Sequence, residues 1–469
     1  MVNNIRAIWG VRDMTKDMTK GNPIKLILGF CMPMLFGSLF QQLYNMVDSI
    51  IVSKYVGNKA FAGVGSVGPV CFLIIGTALG TCSGFAIPIA QQFGAEKYSQ
   101  MRKTIYNANF LSAVIAAVLT ITTVIFCRPL LRFMNTTPDT FEYAYSYLRI
   151  LFIGIPVTIL YNMLASTLRA LGDSKTPLKY LLIASCLNVV FDMLFIVKFH
   201  LGVSGAALAT ILSQLISGIL CLIYVIKMPI LGYNKGEKVL DKTIMKNVLS
   251  IGLPMAFQFS ITAIGTMILQ AAVNSLGTEY VGAMSAGGKI QNLIAQPMET
   301  IGVTMATFGG QNLGAGKNER IHKGVRQAFF ALICYTVVIS VVIFCFGDTF
   351  ASLFLNKKES NFNLMTEHAG YFLRLSSIFY PTLAVVYFFR NILQGLGFSA
   401  VTMLAGLTEL ICRSLVAFAF VSSFGYNAVC LASPFAWAAA GALLIGLYFF
   451  EMRKVDAVAK ENCRYKCRC

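Results

Sequence analysis

The same segment occurs twice in this chain, and this repeat limits the folds that the chain can adopt. Residues 91–108 read QQFGAEKYSQMRKTIYNA, and residues 311–328 read QNLGAGKNERIHKGVRQA, at an offset of 220 residues. The correspondence extends outward, so that Pro156 in the first copy matches Pro381 in the second. In a membrane protein, such a duplication usually produces two related bundles around a central site. The sequence therefore predicts two homologous halves.

Apolar composition decides the class of protein. Hydrophobic residues make up 57% of the chain and charged residues only 12%, which excludes an ordinary soluble domain. Twelve apolar stretches are each long enough to cross about 30 Å of hydrocarbon as a helix of about 20 residues. They begin near residues 24, 60, 105, 143, 177, 203, 245, 281, 324, 369, 398 and 426. We predict an all-α integral membrane protein with twelve transmembrane helices in two pseudo-symmetric six-helix bundles.

The polar segments between these stretches define the expected domains. The longest polar connection lies between the sixth and seventh spans, where the halves join. The first 20 residues are charged and lack the apolar core of a signal peptide, so we expect the first helix to direct insertion. The predicted parts are a cytoplasmic N-terminal segment (1–23), an N-lobe (24–227), a cytoplasmic inter-lobe loop (228–243), a C-lobe (244–450) and a basic cytoplasmic tail (451–469).

The net charge of +18 is distributed as expected for a membrane protein. If the N-terminus is cytoplasmic, the segments on that side hold 26 Lys and Arg residues and those on the other side hold 7. This asymmetry follows the positive-inside rule, and the basic loops can contact anionic lipid headgroups. We predict a multi-pass protein of the plasma (cytoplasmic or inner) membrane with both termini cytoplasmic, and no nucleic-acid binding.

Three cysteines in the tail, Cys463, Cys467 and Cys469, raise the question of a metal site. Their spacing fits no standard zinc pattern and no histidine lies nearby. We interpret the tail as a solvated basic segment, with metal binding or disulfide pairing as the alternative.

Polar residues line one face of the first span. Gln41, Tyr44, Asn45 and Asp48 stand at i, i+3, i+4 and i+7, which is one helical face. A lone carboxylate near the bilayer centre costs about 2.5–3.5 kcal/mol on insertion scales. We therefore predict that Asp48 faces a hydrated cavity or a partner, the alternative being a side chain that reaches the headgroups from the end of the span.

The fifth and sixth spans add further oxygen ligands. Asn188 and Asp192 lie one helical turn apart, and Thr210 lies among small residues in the sixth span. With Asp48 they form an oxygen-rich set that can hold a proton or coordinate a sodium ion. The alternative for Asn188 is a hydrogen bond that only fastens two helices.

The second half repeats the polar stripe without the acid. Gln258, Thr262, Thr266 and Gln270 step by four along the seventh span, and Leu269 occupies the position that matches Asp48. We expect these polar residues to line the cavity, and we expect the two halves to differ in ion chemistry.

Two acids lie deep in the second half. Glu409 is four residues before Arg413, the favourable orientation for a helical ion pair, and Arg390 in the tenth span is a second possible partner. We predict that Arg390, Glu409 and Arg413 form a structural ion pair. Glu299 has no evident local partner and is a candidate for a second coupling or substrate site.

Pro33 lies inside the first span, where proline removes a backbone hydrogen bond. We predict that this residue allows the helix to bend during ion binding. A static kink is the alternative.

Several motifs together resemble those of the multidrug and toxic compound extrusion (MATE) family. They are CMPM at 31–34, GLPM at 252–255, QQLYNMVDSIIVSKYVG at 41–57, the repeated Gln-x-x-Gly-Ala and LRALGDSKTP at 168–177. The resemblance covers about residues 20–450. It implies two six-helix lobes around a central cavity, alternating access, and export of organic, often cationic compounds by H⁺ or Na⁺ antiport. It also implies a transporter that is not an enzyme, needs no cofactor beyond the coupling ion, and works as a monomer.

Within that family, the N-lobe resembles the DinF-like and archaeal branch. That branch places an Asp on the first span, an Asn and an Asp four apart on the fifth, and a Thr on the sixth. Asp48, Asn188, Asp192 and Thr210 occupy these positions. The resemblance therefore implies that these four residues form the cation-coupling site.

Two other functions compete with multidrug efflux. A lipid-linked oligosaccharide flippase of the same superfamily would need a basic cavity, for which Lys289, Arg390 and Arg413 are the only deep candidates. An intramembrane aspartyl protease would also need two membrane aspartates. The twelve-span duplication and the absence of a Gly-x-Gly-Asp motif argue against the protease.

Overall fold

The structure is a computed structural model that describes residues 16–134, 136, 138–355 and 361–466. Over these residues the chain is helical and contains no strand. Cys467 and Cys469 lie outside the described residues, and the side chain of Cys463 is not described either.

The described part of the first half contains eight α-helices. The fifth span continues from α7 into a π-helical segment, Met193–Lys198, directly after Asp192. The helices are α1 (Pro23–Tyr55), α2 (Asn58–Ser66), α3 (Gly68–Gly94), α4 (Tyr98–Phe133), α5 (Pro138–Ile153), α6 (Ile155–Ala170), α7 (Lys175–Asp192) and α8 (Gly202–Lys227).

The second half repeats this order, except that α2 and α3 correspond to one continuous helix and that a short extra helix precedes the last one. Its eleventh span again passes into a π-helical segment, Val416–Phe420. The helices are α9 (Lys242–Asn274), α10 (Thr278–Gly314), α11 (Asn318–Ser352), α12 (Phe362–Ile378), α13 (Tyr380–Gly395), α14 (Ser399–Leu415), α15 (Val421–Phe424) and α16 (Tyr426–Lys466).

The number of spans agrees with the sequence prediction. Within the described chain, nine spans are long and apolar enough to cross a membrane as they stand, and two bent pairs of helices raise the number to 11. The bends are 48° between α5 and α6 and 57° between α12 and α13. The remaining span is α10, whose 37 residues are long enough but more polar.

Proline marks both bends. Pro156 is the second residue of α6 and Pro381 is the second residue of α13. Proline is tolerated in the first turn of a helix because the missing N–H has no intrahelical acceptor there. The two prolines that match in the sequence repeat therefore start the second helix of equivalent broken spans.

Contacts divide the chain into two compact units. Unit 1 contains the described residues up to Asn22, then Leu28–Leu253 and Gly310–Ala315. Unit 2 contains Pro23–Ile27, Pro254–Gly309 and the described residues from Gly316 onward. The division thus falls inside α9, and the inter-lobe loop belongs to unit 1.

An ion pair fastens this loop to α4. Arg102 donates from Nε and Nη2 to the two carboxylate oxygens of Glu237, at 2.6 and 2.7 Å. The hydrogen bonds from Arg102 hold the pKa of Glu237 well below its ordinary value. Asn107 adds two bonds, donating to the carbonyl of Val239 at 3.0 Å and accepting from the N–H of Asp241 at 2.9 Å. The connection between the halves is therefore an ordered part of unit 1.

Inside unit 1, the repeated Gln-x-x-Gly motifs meet each other. A Cβ atom added to Gly94 would lie 1.9 Å from the carbonyl oxygen of Gln311. A Cβ added to Gly314 would lie 1.8 Å from that of Gln91. The contact is reciprocal, and only glycine allows the ends of α3 and α10 to approach this closely.

Candidate cation site

Three helices of unit 1 bring the four predicted cation ligands together. Asp192 and Asn188 lie one turn apart on α7 and are almost completely buried, at 0% and 2% exposure. Asn188 donates a hydrogen bond from Nδ2 to Oγ1 of Thr210 on α8, at 3.5 Å. Asp48 reaches the same place from α1. The sequence spacing therefore corresponds to one spatial cluster.

The carboxyl groups of Asp48 and Asp192 lie close enough to interact with each other. Neither oxygen of Asp192 has a hydrogen-bond partner among the described residues, and Oδ1 of Asp48 has none either. Two buried carboxylates this close repel each other unless a proton or a cation lies between them. A proton or one cation between the two groups would remove this repulsion.

The ligand set at this place consists of oxygen atoms. Beside the two carboxylates, Oδ1 of Asn188 is buried without a partner, and the hydroxyl of Thr210 donates to the carbonyl of Ala206 at 3.1 Å. Oxygen ligands of this kind suit hard cations, whereas zinc and copper sites use His and Cys. No group of three or more His, Cys, Asp or Glu residues suited to a metal occurs in the described residues. The geometry fits a proton or an alkali cation.

The helix that carries Asp192 changes from α-helical to π-helical geometry directly after this residue. Asp192 is the last residue of α7, and the π-helical segment starts at the next residue, Met193. A π-helical turn contains one extra residue and is frequent at functional sites. The carboxylate of Asp192 therefore lies next to a helical turn that is wider than an α-helical one.

Tyr147 on α5 is a neighbour of the site that the sequence did not indicate. It lies close to both Asp48 and Asp192 and also near Tyr44. Tyrosines are frequent in this span, so neither composition nor periodicity distinguishes Tyr147 from residues that face lipid. Only the fold shows that it lies beside the acids.

The predicted polar face of α1 is divided by the structure. Tyr44 and Asp48 are partly buried, and Tyr44 lines a pocket beside the cation site. Gln41 and Asn45 are exposed on the surface of unit 1. Tyr44 and Asp48 therefore lie toward the interior of unit 1, whereas Gln41 and Asn45 lie on its surface.

The pocket beside the cation site is polar. It has a volume of about 320 Å³, including the space at its open mouth. Its polar lining residues come from α1, α6, α7 and α8, and are Tyr44, Tyr161, Ser185, Asn188, Thr210, Ser213, Gln214 and Ser217. We call this space the hydroxyl pocket.

In unit 2, the predicted stripe on α9 makes mostly internal contacts. Gln258 is buried and its amide is hydrogen-bonded to that of Gln394 at 2.6 Å. The Thr266 hydroxyl donates to a carbonyl of its own helix, and Gln270 is exposed and donates to Asn274 at 2.9 Å. Gln258 therefore stabilises unit 2 and does not present a free amide.

Two more positions on α9 were considered in the sequence, Thr262 and Leu269. Thr262 is half-buried. Leu269, which matches Asp48 in the repeat, packs in an apolar cluster with Val273 and Val429. The environment that surrounds an acid in unit 1 is therefore apolar in unit 2.

The deep charges of unit 2 form a compact group. Glu409 accepts hydrogen bonds from Arg390 and, at 3.1 Å, from Arg413, and its side chain is only 3% exposed. Glu299 is half-buried near Arg390, and it has no ion pair within 4.0 Å in the described part of the chain. Glu409 thus links α13 to α14 through its ion pairs, whereas the carboxyl group of Glu299 takes part in no ion pair in the described part of the chain.

Comparison with known proteins identifies the family. The model of the MatE family matches residues 33–194 and, a second time, residues 254–419. The chain belongs to the MatE family. The two matches begin at Pro33 and Pro254, which correspond in the repeat, so each half of the chain is one MatE unit. The first of these includes Asp48, Asn188 and Asp192.

Several MatE relatives resemble the whole chain. The "Probable multidrug resistance protein YpnP" of Bacillus subtilis is 29% identical over 81% of this chain and 84% of its own. A protein named "FAD transporter" from Shewanella oneidensis is 21% identical over 79% of this chain and 82% of its own. A solved outward-facing multidrug resistance MATE family transporter superposes with a TM-score of 0.87 at 23% identity, covering 95% of this chain and 99% of that one. This likeness confirms the predicted fold of twelve helices in two lobes.

Membership of the MatE family decides between the classes considered from the sequence. MatE proteins are transporters and not enzymes, so the prediction of a multi-pass membrane transporter is confirmed and an intramembrane protease is excluded. They are ion-coupled antiporters without a cofactor. In this MatE protein, α1 continues unbroken through Pro33 from Pro23 to Tyr55, and bending at Pro33 stays a prediction.

Proposed function

We propose that this protein is a secondary multidrug efflux transporter that exports small organic, often cationic compounds in exchange for H⁺ or Na⁺. The observation that carries the proposal is the pair of neighbouring carboxyl groups, Asp48 and Asp192, inside unit 1, of which Oδ1 of Asp48 and both oxygens of Asp192 have no hydrogen-bond donor among the described residues. The names of the multidrug resistance relatives support the substrate class. We also propose a plasma membrane location with cytoplasmic termini, and the excess of Lys and Arg on one side supports this orientation.

The exchange follows from charge balance at this pair. When a cation binds between Asp48 and Asp192, the site loses negative charge, and this favours release of a cationic substrate. When the cation leaves, the exposed negative charge attracts the next substrate. Coupling requires only that the ion and the substrate stabilise different conformations of the transporter. Asn188 and Thr210 provide the remaining oxygen atoms and orient the site.

The size of the effect can be estimated from Coulomb's law. A unit charge about 4 Å from a carboxylate interacts with about 4 kcal/mol at an effective dielectric constant of about 20. Since each 1.4 kcal/mol corresponds to a factor of ten, loss of one carboxylate should weaken cation binding by roughly 10²–10³-fold. Either acid alone should therefore be insufficient for coupling.

The test uses proteoliposomes loaded with a fluorescent organic cation. Efflux is measured under a pH gradient alone and then under a sodium gradient alone. We expect Asp48→Asn and Asp192→Asn each to abolish gradient-driven efflux, and the double variant to be no worse than either single one. Asp139→Asn is the matched control, because Asp139 is an exposed acid of unit 1 that pairs with Lys59 at 2.8 Å. Normal efflux by both single variants would refute the proposed site.

The alternative of a lipid-linked oligosaccharide flippase has less support. Both deep arginines, Arg390 and Arg413, contact the same carboxylate of Glu409, and Lys289 is exposed. A drug-sensitivity assay in an efflux-deficient host separates the two functions, since only a multidrug transporter should restore resistance.

A further inference from the structure

A stripe of apolar side chains runs along the exposed face of α4. Its members follow one another at three or four residues and are 42–64% exposed. They are Phe110, Val114, Val118, Ile121 and Ile125. This spacing places them on one side of the helix, over about 22 Å at 1.5 Å per residue. In a membrane transporter, we expect an exposed apolar stripe of this length to contact lipid hydrocarbon.

Basic residues begin where this apolar stripe ends. Arg128 and Arg132 follow Ile125 by three and seven residues, so they continue the same face of α4. Both side chains are exposed. Arg149 is also exposed and lies on α5, a helix that contacts α4. Arginines near the end of a membrane helix reach toward the headgroups with their guanidinium groups. The end of the stripe therefore marks the depth of the headgroups.

Tyr145 on α5 brings two of these arginines to one place. The guanidinium carbon of Arg128 is 4.5 Å from the centre of the Tyr145 ring, and that of Arg149 is 6.0 Å from it. Both guanidinium groups also lie near Cys127. The Tyr145 ring is half-buried and packs against the core of unit 1, so it is a fixed platform. We call Arg128, Tyr145 and Arg149 the arginine site.

Helix direction explains why the two arginines meet. α4 ends at Phe133 and α5 begins at Pro138, and a short connection makes neighbouring helices antiparallel. Side chains tilt toward the N-terminus of their helix, so Arg128 tilts away from the connection and Arg149 tilts toward it. The Cα atom of Arg128 lies about 8 Å from the end of α4, and that of Arg149 lies about 16 Å from the start of α5. Both side chains therefore approach the level of Tyr145.

The acids near the arginine site do not balance its charge. Glu142 is 4.0 Å from Arg128, at the limit of an ion pair, and its side chain is 72% exposed. Asp139 pairs with Lys59 at 2.8 Å. Arg149 has no carboxylate within 4.0 Å in the described part of the chain. A charge in an apolar span is costly without a partner, and guanidinium groups bind phosphate oxygens in a bidentate manner.

We propose that the arginine site binds the phosphate of an anionic phospholipid, whose acyl chains lie along the apolar stripe of α4. A phospholipid fits better than a soluble anion because it supplies negative charge and hydrocarbon at adjacent positions. A headgroup with net negative charge fits better than a zwitterionic one, whose ammonium group would add to the positive charge already present. This site is independent of the proposed antiport function.

The test measures lipid binding to the purified full chain in a neutral detergent. Native mass spectrometry gives the Kd of phosphatidylglycerol, and thermal unfolding gives the Tm with and without this lipid. Phosphatidylcholine with the same acyl chains and inorganic phosphate are the comparison ligands. The main variant combines Arg128→Gln with Arg149→Gln. The matched control combines Lys323→Gln with Arg326→Gln, which removes the same charge from exposed positions on α11.

Each arginine beside an anionic headgroup should strengthen binding by about fivefold. We therefore expect the main variant to bind phosphatidylglycerol about 25-fold more weakly than the wild type, and the control pair to bind it nearly as well. Without lipid, the Tm of both should stay within about 2 °C of the wild type.

A second variant covers the case in which the main variant does not fold. Arg128→Lys with Arg149→Lys keeps both charges but lacks the planar fork of guanidinium, so it should fold and still bind phosphatidylglycerol more weakly than the wild type. The site is refuted if these substitutions weaken binding no more than the control pair does. An equal rise in Tm with phosphatidylcholine or inorganic phosphate would overturn the assignment to an anionic lipid.

Discussion

Glu409 offers the sharpest test of the packing of unit 2. It is the single acid between Arg390 and Arg413, whose side chains are 12% and 5% exposed. Glu409→Gln keeps the shape of the side chain but removes the carboxylate that both guanidinium groups contact in a mostly buried place. Removal of one partner from a buried ion pair typically costs about 3–5 kcal/mol. The equilibrium constant for unfolding should therefore rise by roughly 10²–10³·⁵-fold.

The assay is equilibrium unfolding in mixed micelles of a mild detergent and dodecyl sulfate. Trp437, buried on α16 of unit 2, provides the fluorescence signal. The double variant Glu409→Met with Arg413→Met should recover most of the lost stability, because replacing a buried ion pair by apolar side chains is often neutral. If Glu409→Gln unfolds within about 0.5 kcal/mol of the wild type, the ion pair does not stabilise unit 2. Loss of transport without loss of stability would instead assign Glu409 to coupling.

Two further predictions concern unit 1. Gly94→Ala and Gly314→Ala should each strongly reduce the yield and the Tm of folded protein in a detergent stability assay, because the new Cβ would overlap a carbonyl oxygen. Gly65→Ala is the control and should not lower the yield or the Tm, because the space around Gly65 is open. Equal behaviour of all three variants would contradict the close approach of the two helix ends. Glu237→Gln should lower the Tm at neutral pH. Since the folded pKa of Glu237 is depressed by Arg102, the stabilisation is complete above the unfolded value of about 4.3 and is lost only as pH falls below it. The difference in Tm from the wild type should thus stay constant from about pH 8 to 6 and shrink below about pH 4, and a difference that disappears near pH 7 would contradict this pairing.

The sequence predicts the architecture well because membrane insertion depends on features that can be read locally. Apolar length and the distribution of Lys and Arg are sufficient for the number of spans. The bends of 48° and 57° could not be predicted in the same way. Pro156 and Pro381 were visible as matching residues, but a proline inside an apolar stretch is compatible with a kink, a continuous helix or a new helix start. The structure shows that each is a new start.

The candidate cation site is a second case in which spacing was informative. It is energetically costly to place polar side chains such as Asp48, Asn188 and Asp192 in an apolar span. Their presence in the spans therefore already indicates a shared polar environment. The structure brings them together in unit 1, although their role in coupling stays a prediction. Tyr147 could not be found because a phenol costs little in a membrane interior and carries no such signal.

The polar stripe on α9 shows that helical periodicity does not identify the residues that a side chain contacts. A spacing of four places each residue of the stripe next to the following one on a helix, but it does not indicate what these side chains contact. Gln258 is bonded to Gln394, which is 136 residues away, and Gln270 is exposed. Partners at such distances depend on tertiary packing, which a helical pattern does not contain.

The two π-helical segments have a consequence for the history of the chain. Each directly follows the helix after an LGxS motif, α7 in the first half and α14 in the second. The last residue before the widened turn is Asp192 in one half and Leu415 in the other. A backbone feature present in both copies points to an ancestor of half the length that already had the turn before the gene was duplicated. The turn would then be older than the difference in charge, and Ala417, which matches Asp192 in the register of the LGxS motifs, marks a place where an acid could be installed on a backbone that already has the wider turn.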